Sequence, residues 1–483
     1  MMGGEKFDWR PEDWEKAGRR VLELATSVST HWEERRPAPT VSPAEVRERF
    51  RESLPKVGVP FDEVASRLEA AAELSTYIGH PRWLAYITSS PAPVGVLTDL
   101  VASAVNSNLG LWRGGPAATA IELQSIDWLK ELLGYPPEAE GVYSSGGQFA
   151  NVLALAVMRD QMAGWDVRTA GTRLGPPLRI YASEELHYCH QQATELLGLG
   201  REGLRLVPTD DDYRMRPDVL EELIAADQRA GYSPIGVVAT AGTVGTGAVD
   251  PIPELRALTR AEGLWLHVDG AYGAFAAITP SAPPELAALA EADSIACDPH
   301  KWLYAPIDAG VTLVREPGCL ERSFSFHASY LHHNRQEDAR IDLAELSPEN
   351  SRRARGLKIW ASLLAYGADG YRDMIERNLE VAAHLERQVI ETEDLVLAAP
   401  RGLSIVCWRV EPPGLDNEVL DALQHRLIEE LEMRGIAMVS NARLKDGRSA
   451  IRACVVNFRT SAEDVEAVVA ASAELGKKLT SKP

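Results

Sequence analysis

The middle of the chain alternates between two hydrophobic periods. Short apolar runs at "GVYSS" (141–145), "RIYAS", "RLVPT", "IGVVAT" (235–240), "LWLHVD" (264–269), "SIACD" (294–298) and "GVTLVR" (310–315) read as strands. Helical patterns separate most of them. In "QFANVLALAVMRD" (148–160), Phe149, Val152, Leu153 and Ala156 share one helical face. Strands alternating with helices predict an α/β fold, a mostly parallel sheet with helices on both faces. Ligands in such sheets bind beyond the carboxyl ends of the strands.

The two ends differ from the middle. Residues 1–85 read as a polar helical segment, with "DWEKAGRRVLELATSVSTHW", "PAEVRERF" and "DEVASRLEAAAEL" as helices and "RRPAPTVSP" as a break. Its few large apolar residues cannot form a core alone, so it is expected to pack on other surfaces. Residues 86–375 form the large domain. In 376–483 a new pattern follows, with "LSIVCWRV" and "AIRACVVNF" as strands and helices after each. That is a small α+β domain of ordinary size.

Composition changes this picture little. The 483 residues are 45% hydrophobic and 25% charged, which suits a globular protein. A formal net charge of −20 argues against nucleic-acid binding through a broad basic face. Five scattered cysteines without C-x-x-C suggest neither disulfides nor a metal site, and fit a reducing compartment. The charged N-terminus lacks a signal-like apolar stretch, and no charge-free run reaches membrane-spanning length. A cytoplasmic protein without membrane partners is expected.

Three chemical features fall at successive strand ends. "SSGGQFAN" (144–151) is a Ser/Gly turn entering a helix, suited either to an anion or to a plain strand–helix connection. "HVDGAYG" (267–273) ends an apolar run on Asp269, whose carboxylate needs a partner there or caps the next helix. "IACDPHKWLYAP" (295–306) places Lys301 just after an apolar run, where desolvation favours a neutral, nucleophilic amine, although such a lysine can also snorkel to the surface. Singly each has a bland reading. Together they supply what pyridoxal phosphate requires: a phosphate cradle, a carboxylate for the ring nitrogen and a lysine for the aldehyde. His187, in "SEELHYCH", is placed to stack on the ring. No G-x-S-x-G occurs, which sets a serine hydrolase aside.

From about residue 8 to the C-terminus, these motifs resemble the group II pyridoxal-phosphate decarboxylases, the family of aromatic-amino-acid, histidine and glutamate decarboxylases. "HPRWLAYITSS" (80–90), "SPIGVVATAGTVGTGAVDPI", "LWLHVDGAYG", "DPHKW" and "RRARGLKIWASLLAYG" (352–367) occur in family order. The resemblance implies an aspartate-aminotransferase-like, fold type I enzyme with a seven-stranded sheet. It implies that pyridoxal 5'-phosphate is the cofactor and that an L-amino acid loses CO2 to leave the amine. By position, Lys301 would hold the cofactor, Asp269 would face its ring nitrogen, and His187 and Ala271 would cover its two faces. Ser145, Gly146, Gly147, Gln148, Asp298 and His300 would surround the phosphate, with Thr240 near the ring hydroxyl. Tyr86, Ser89, Asn108, Arg113 and Arg452 would meet substrate, Arg452 through its carboxylate. The family builds its site at a homodimer interface, with the N-terminal helices wrapped around the partner.

The chain departs from the family in four places. Asp298 stands where Asn is usual, so a carboxylate would approach a phosphate unless it binds a backbone group or a cation. Gly270 replaces a common Ala. The segment 331–350 lacks the tyrosine that aromatic-acid decarboxylases carry, leaving Tyr330, His332 and His333 as alternative proton donors. The segment 106–122 offers Asn106, Asn108, Trp112 and Arg113, a more polar lining than a catechol or indole needs. These departures keep an aldehyde synthase, another carbon–carbon lyase and a non-catalytic cofactor-binding protein in view.

Overall fold

The computed structural model describes residues 7–326 and 340–480. Its central sheet has seven strands: β1 Glu140–Ser144, β2 Leu178–Ser183, β3 Leu204–Val207, β4 Ser233–Thr240, β5 Trp265–Asp269, β6 Ser294–Cys297 and β7 Gly310–Val314. The order is β1-β7-β6-β5-β4-β2-β3. Strands β3, β2, β4, β5 and β6 are parallel to their neighbours, and β7 runs antiparallel to both β6 and β1. Every residue of β2, β5, β6 and β7 is buried, as continuous apolar runs covered on both faces require.

Register places the chemistry. Thr240 pairs with Asp269, and Asp269 with Ala296. The carboxyl ends of β4, β5 and β6 therefore lie side by side, and the short helix Pro299–Trp302 carrying Lys301 starts just beyond β6. The helix Gly147–Met162 follows β1 and buries Ala150, Leu153, Ala154, Leu155, Val157 and Met158.

The C-terminal sheet has order β10-β11-β9-β8, all antiparallel, from β8 Leu395–Leu397, β9 Ile405–Val410, β10 Ser440–Arg443 and β11 Ser449–Cys454. Two of these strands were expected. The other two, β8 and β10, have 3 and 4 residues and are too short for a periodic signal. The helix Gly356–Glu391 is broken at Gly367, whose φ of 67° suits glycine. It gives Tyr371, Ile375 and Leu379 to the large core, then Val381, Ala382, Leu385 and Val389 to the small one. The segment at Leu84 also joins the small unit: its N–H donates to Met438 O and its carbonyl accepts from Cys454 N–H.

The N-terminal helices Pro11–Thr30 and Phe61–Glu73 bury Ala17 and Ala65 alone, and Pro43–Arg49 buries nothing. They have no core of their own, as expected. No helix among the described residues is long and apolar enough to cross a membrane.

Candidate active site

A cleft of about 420 Å³ opens at the carboxyl edge of the sheet. Gly147, Gln148, His187, Thr240, Asp269, Ala271 and Lys301 all line it, so seven of the expected residues converge. Ile87, Asn151, Cys189, Gly242, Val244 and Tyr272 complete the walls.

Asp269 is buried and its two oxygens are both held. Oδ1 accepts from Ala271 N–H at 3.1 Å, and Oδ2 lies 2.8 Å from His190 Nε2. Burial pushes this carboxyl up, but the hydrogen bond and charge of His190 outweigh it and hold it below the ordinary range. His190 is the partner a buried carboxylate requires. Its signal, a second histidine one turn after His187 in "HYCH", gave no hint of a partner so distant in sequence.

Lys301 corrects one expectation. Its amine does not meet apolar surroundings: Nζ lies 3.1 Å from Asp298 Oδ2. His300 Nε2 lies 3.6 Å from the same oxygen, and the cation that Asp298 meets is the Lys301 ammonium, one of the two alternatives its sequence position allowed. His300 is itself pinned, with Nδ1 2.7 Å from Ala309 O, and burial lowers its pKa. Asp298 Oδ1 is buried without a hydrogen-bond partner.

The turn between β1 and its helix needs glycine. Gly146 has φ 137°. A Cβ on Gly147 would fall 2.6 Å from Asp298 Oδ2 and 2.8 Å from Ala271 Cβ. Ser145 and Gln148 are exposed beside this turn, and Gln148 Nε2 donates to Gln192 Oε1 at 2.7 Å. Asp250 fixes the backbone of Thr240 by accepting its N–H at 2.8 Å. The Thr240 hydroxyl is buried and unpartnered.

The expected substrate residues divide. Arg452, in β11, is buried rather than on a surface edge. Its Nε donates to Gly245 O at 3.2 Å and Nη1 to Tyr86 O at 3.1 Å, while Nη2 is buried without a hydrogen-bond partner. Tyr86 is exposed and has φ 55°. Ser89 donates to His300 O at 2.8 Å and so fixes backbone next to Lys301. Asn108 Oδ1 accepts from Gly110 N–H at 3.0 Å and Arg352 N–H at 3.1 Å. Arg113 is exposed, and neither it nor Asn108 lines the cleft of its own chain. Tyr330, His332 and His333 lie outside the described residues.

Comparison with known proteins decides the family. The model of the pyridoxal-dependent decarboxylase conserved domain matches residues 43–411. The chain belongs to this family. An aromatic-L-amino-acid decarboxylase of Bacillus atrophaeus is 32% identical over 464 residues, 95% of each chain. A phenylacetaldehyde synthase of Petunia hybrida is 26% identical over 416 residues, 84% of this chain and 82% of that one. The solved structure of Oryza sativa TDC with PLP and tryptamine superposes with a TM-score of 0.91 at 26% identity, covering 98% of this chain and 100% of that one. The fold is that of fold type I enzymes, and this decarboxylase is a carboxy-lyase whose cofactor is pyridoxal 5'-phosphate. The cleft fits that group: it combines a lysine amine, an ionised buried carboxylate, a glycine cradle with no room for a Cβ and an unpartnered threonine hydroxyl.

Proposed function

We propose that this decarboxylase converts an aromatic L-amino acid to its amine and CO2, with one proton taken up at Cα. One observation carries the reading: Asp269 is kept ionised in the same cleft as Lys301. When bound, pyridoxal 5'-phosphate supplies a protonated ring that accepts the electron pair left behind as CO2 departs. Lys301 would hold the cofactor through its aldehyde. Asp269 would keep a proton on the ring nitrogen, and His187 and Ala271 would hold the ring between them. The N–H groups of Gly147 and Gln148, at a helix start, would take the phosphate, with Ser145, Gly146 and His300 around it. Asp298 steers the Lys301 amine rather than the phosphate. Thr240 offers its free hydroxyl to the ring hydroxyl.

Arg452 has one free N–H group for the substrate carboxylate, and two backbone carbonyls fix its direction. Ile87 and Val244 make the cleft wall apolar, and Asn108 spends its carboxamide oxygen on backbone. Both features, with the Bacillus relative, support an aromatic side chain. Tyr86 would close over it, and Ser89 acts through the backbone of His300.

A homodimer supports the same reading. The helix Pro93–Val105 exposes Leu97, Leu100, Val101 and Val105, an apolar face that a second copy would cover, and the N-terminal segment exposes Trp14, Leu22 and Leu54. Arg113 would enter the neighbour's site. All five cysteines are free and buried, which supports a cytoplasmic location.

A second reading rests on residues 331–350, which contain no tyrosine, and on the Petunia relative. On it, molecular oxygen and water are consumed, and the product is an aldehyde released with CO2, ammonia and hydrogen peroxide. Mass spectrometry of products from a panel of amino acids separates the two. An amine from an aromatic substrate supports the first reading, an aldehyde supports the second, and no turnover of any amino acid sinks both.

A further inference from the structure

Behind Asp269 stands a row of buried polar side chains that the reaction as described does not use. Trp265 Nε1 donates to Ser294 Oγ at 2.8 Å, and the same oxygen lies 2.9 Å from His267 Nδ1. Asn151 Oδ1, an acceptor, lies 2.8 Å from His267 Nε2. Asn151 Nδ2 in turn faces Cys189 Sγ at 3.7 Å. The Cys189 sulfur, a His190 ring nitrogen and an Asp269 oxygen lie within 4.8 Å of one another. The row ends at the His190–Asp269 contact of 2.8 Å.

His190 is fully buried and does not line the cleft. Its Nδ1 has no hydrogen-bond partner among the described residues. The titratable groups around it are Cys189 on its own helix and Asp269 and His267 on β5, with Lys301 acting on Asp269 from beyond β6. Burial pulls the imidazole down, but the hydrogen bond to Asp269 and the nearby Cys189 sulfur raise it to about 10. Burial and the charge of His190 hold His267 down to about 3, so it stays neutral. Burial pushes the Cys189 thiol up, yet contacts with His187 and His190 leave it below its ordinary value.

We propose that His190 is a positioning residue for the cofactor: it aims and charge-balances the Asp269 carboxylate, 2.8 Å away, before the ring nitrogen arrives. Without cofactor, the imidazolium is the only cation in hydrogen-bond contact with Asp269 among the described residues. With a protonated ring nitrogen in place, two cations face one carboxylate. Nε2–H donates to Asp269 in either charge state of His190. This inference rests on Asp269 facing the ring nitrogen.

The test separates aim from charge by measuring cofactor affinity and the pH midpoint of the bound cofactor's visible band. His190→Leu removes both donor and charge and should weaken pyridoxal phosphate binding about tenfold or more. His190→Gln keeps a donor near the Nε2 position without the charge. It should bind within about threefold of the unsubstituted protein while the band midpoint moves. Unchanged affinity in His190→Leu, or an unmoved midpoint in His190→Gln, overturns the proposal. Asp269→Ala is run beside them. If it weakens binding while both His190 variants behave normally, the His190 role fails and the Asp269 assignment stands. If Asp269→Ala is also silent, that assignment itself fails. Should His190→Leu not fold, ¹⁵N-histidine spectra of the unsubstituted, cofactor-free chain decide. One imidazolium among the 11 histidines should persist at about pH 8.5, and all neutral rings there would refute the charge.

Discussion

The floor of the cleft and its mouth are built by opposite means. On the floor, Asp269, His190, Cys189, His267 and Asn151 are all buried and linked through side chains of a single chain. At the mouth, Val244 is exposed on the cleft wall, Tyr86 and Tyr188 are exposed beside the wall residues Ile87 and His187, and Arg452 keeps a free nitrogen. A buried carboxylate is tolerable only when its partners come with the fold, so the floor is preorganised. The mouth meets groups that come from outside the chain, and its polar atoms are left for them. The floor is thus complete within one chain, while the mouth leaves polar atoms unspent.

Lys301→Ala attacks the floor at its reactive atom and carries the largest expected effect. Borohydride should no longer fix the cofactor to the chain, and turnover should fall by roughly 10³-fold or more. A surviving covalent link, mapped by peptide mass, would assign the lysine elsewhere. Asp269→Ala comes next. The link should remain, with turnover down about 10²–10³-fold, the scale of losing one preorganised electrostatic group. Near-normal turnover would show that the floor need not be charged.

Arg452→Gln moves the test to the mouth. Losing a charged contact to the substrate carboxylate should raise KM about tenfold or more while the cofactor stays bound. An unchanged KM would make the arginine a strut between Gly245 and Tyr86 and nothing more.

A smaller, pH-dependent effect belongs to the floor without cofactor. His190 is raised from 6.5 to about 10, so its contribution to stability is full below pH 6.5 and fades to nothing near 10. Asp269 is depressed, so its share is present above its ordinary value and is lost as the pH falls through its lowered one. Unfolding of the cofactor-free chain against that of His190→Gln should show the widest gap between about pH 4 and 6.5, closing toward 10. A gap that widens in alkali would contradict the ion pair.

The same contrast explains what could be read from sequence. Thr240, Asp269 and Lys301 were legible because each ends an apolar run, and a parallel sheet brings such ends to one edge. His190 was not, because its partner is 79 positions away and helical spacing carries no trace of it. The apolar setting expected for Lys301 was wrong in one respect: Asp298, read as a problem for the phosphate, is the amine's own neighbour. Strands β8 and β10 escaped because three or four residues hold too few alternations to count. Arg452 is buried because β10, a strand the periodicity did not show, covers β11.

Asn108 puts the mouth to its finest test. Sequence placed it against substrate, but its oxygen accepts two backbone N–H groups and ties the segment before Trp112 to Arg352. Arg352 is itself wholly buried, 2.7 Å from Glu122, and it donates to Tyr143 O at 2.9 Å. The carboxamide thus belongs to a framework that holds the mouth in place. Asn108→Ala leaves two buried or half-buried donors without an acceptor, which costs about 1–3 kcal/mol. The denaturant midpoint should fall accordingly, with KM and kcat within about twofold of the unsubstituted enzyme, since uniform binding is untouched. A variant of full stability and raised KM would return Asn108 to the substrate and make the mouth as preorganised as the floor.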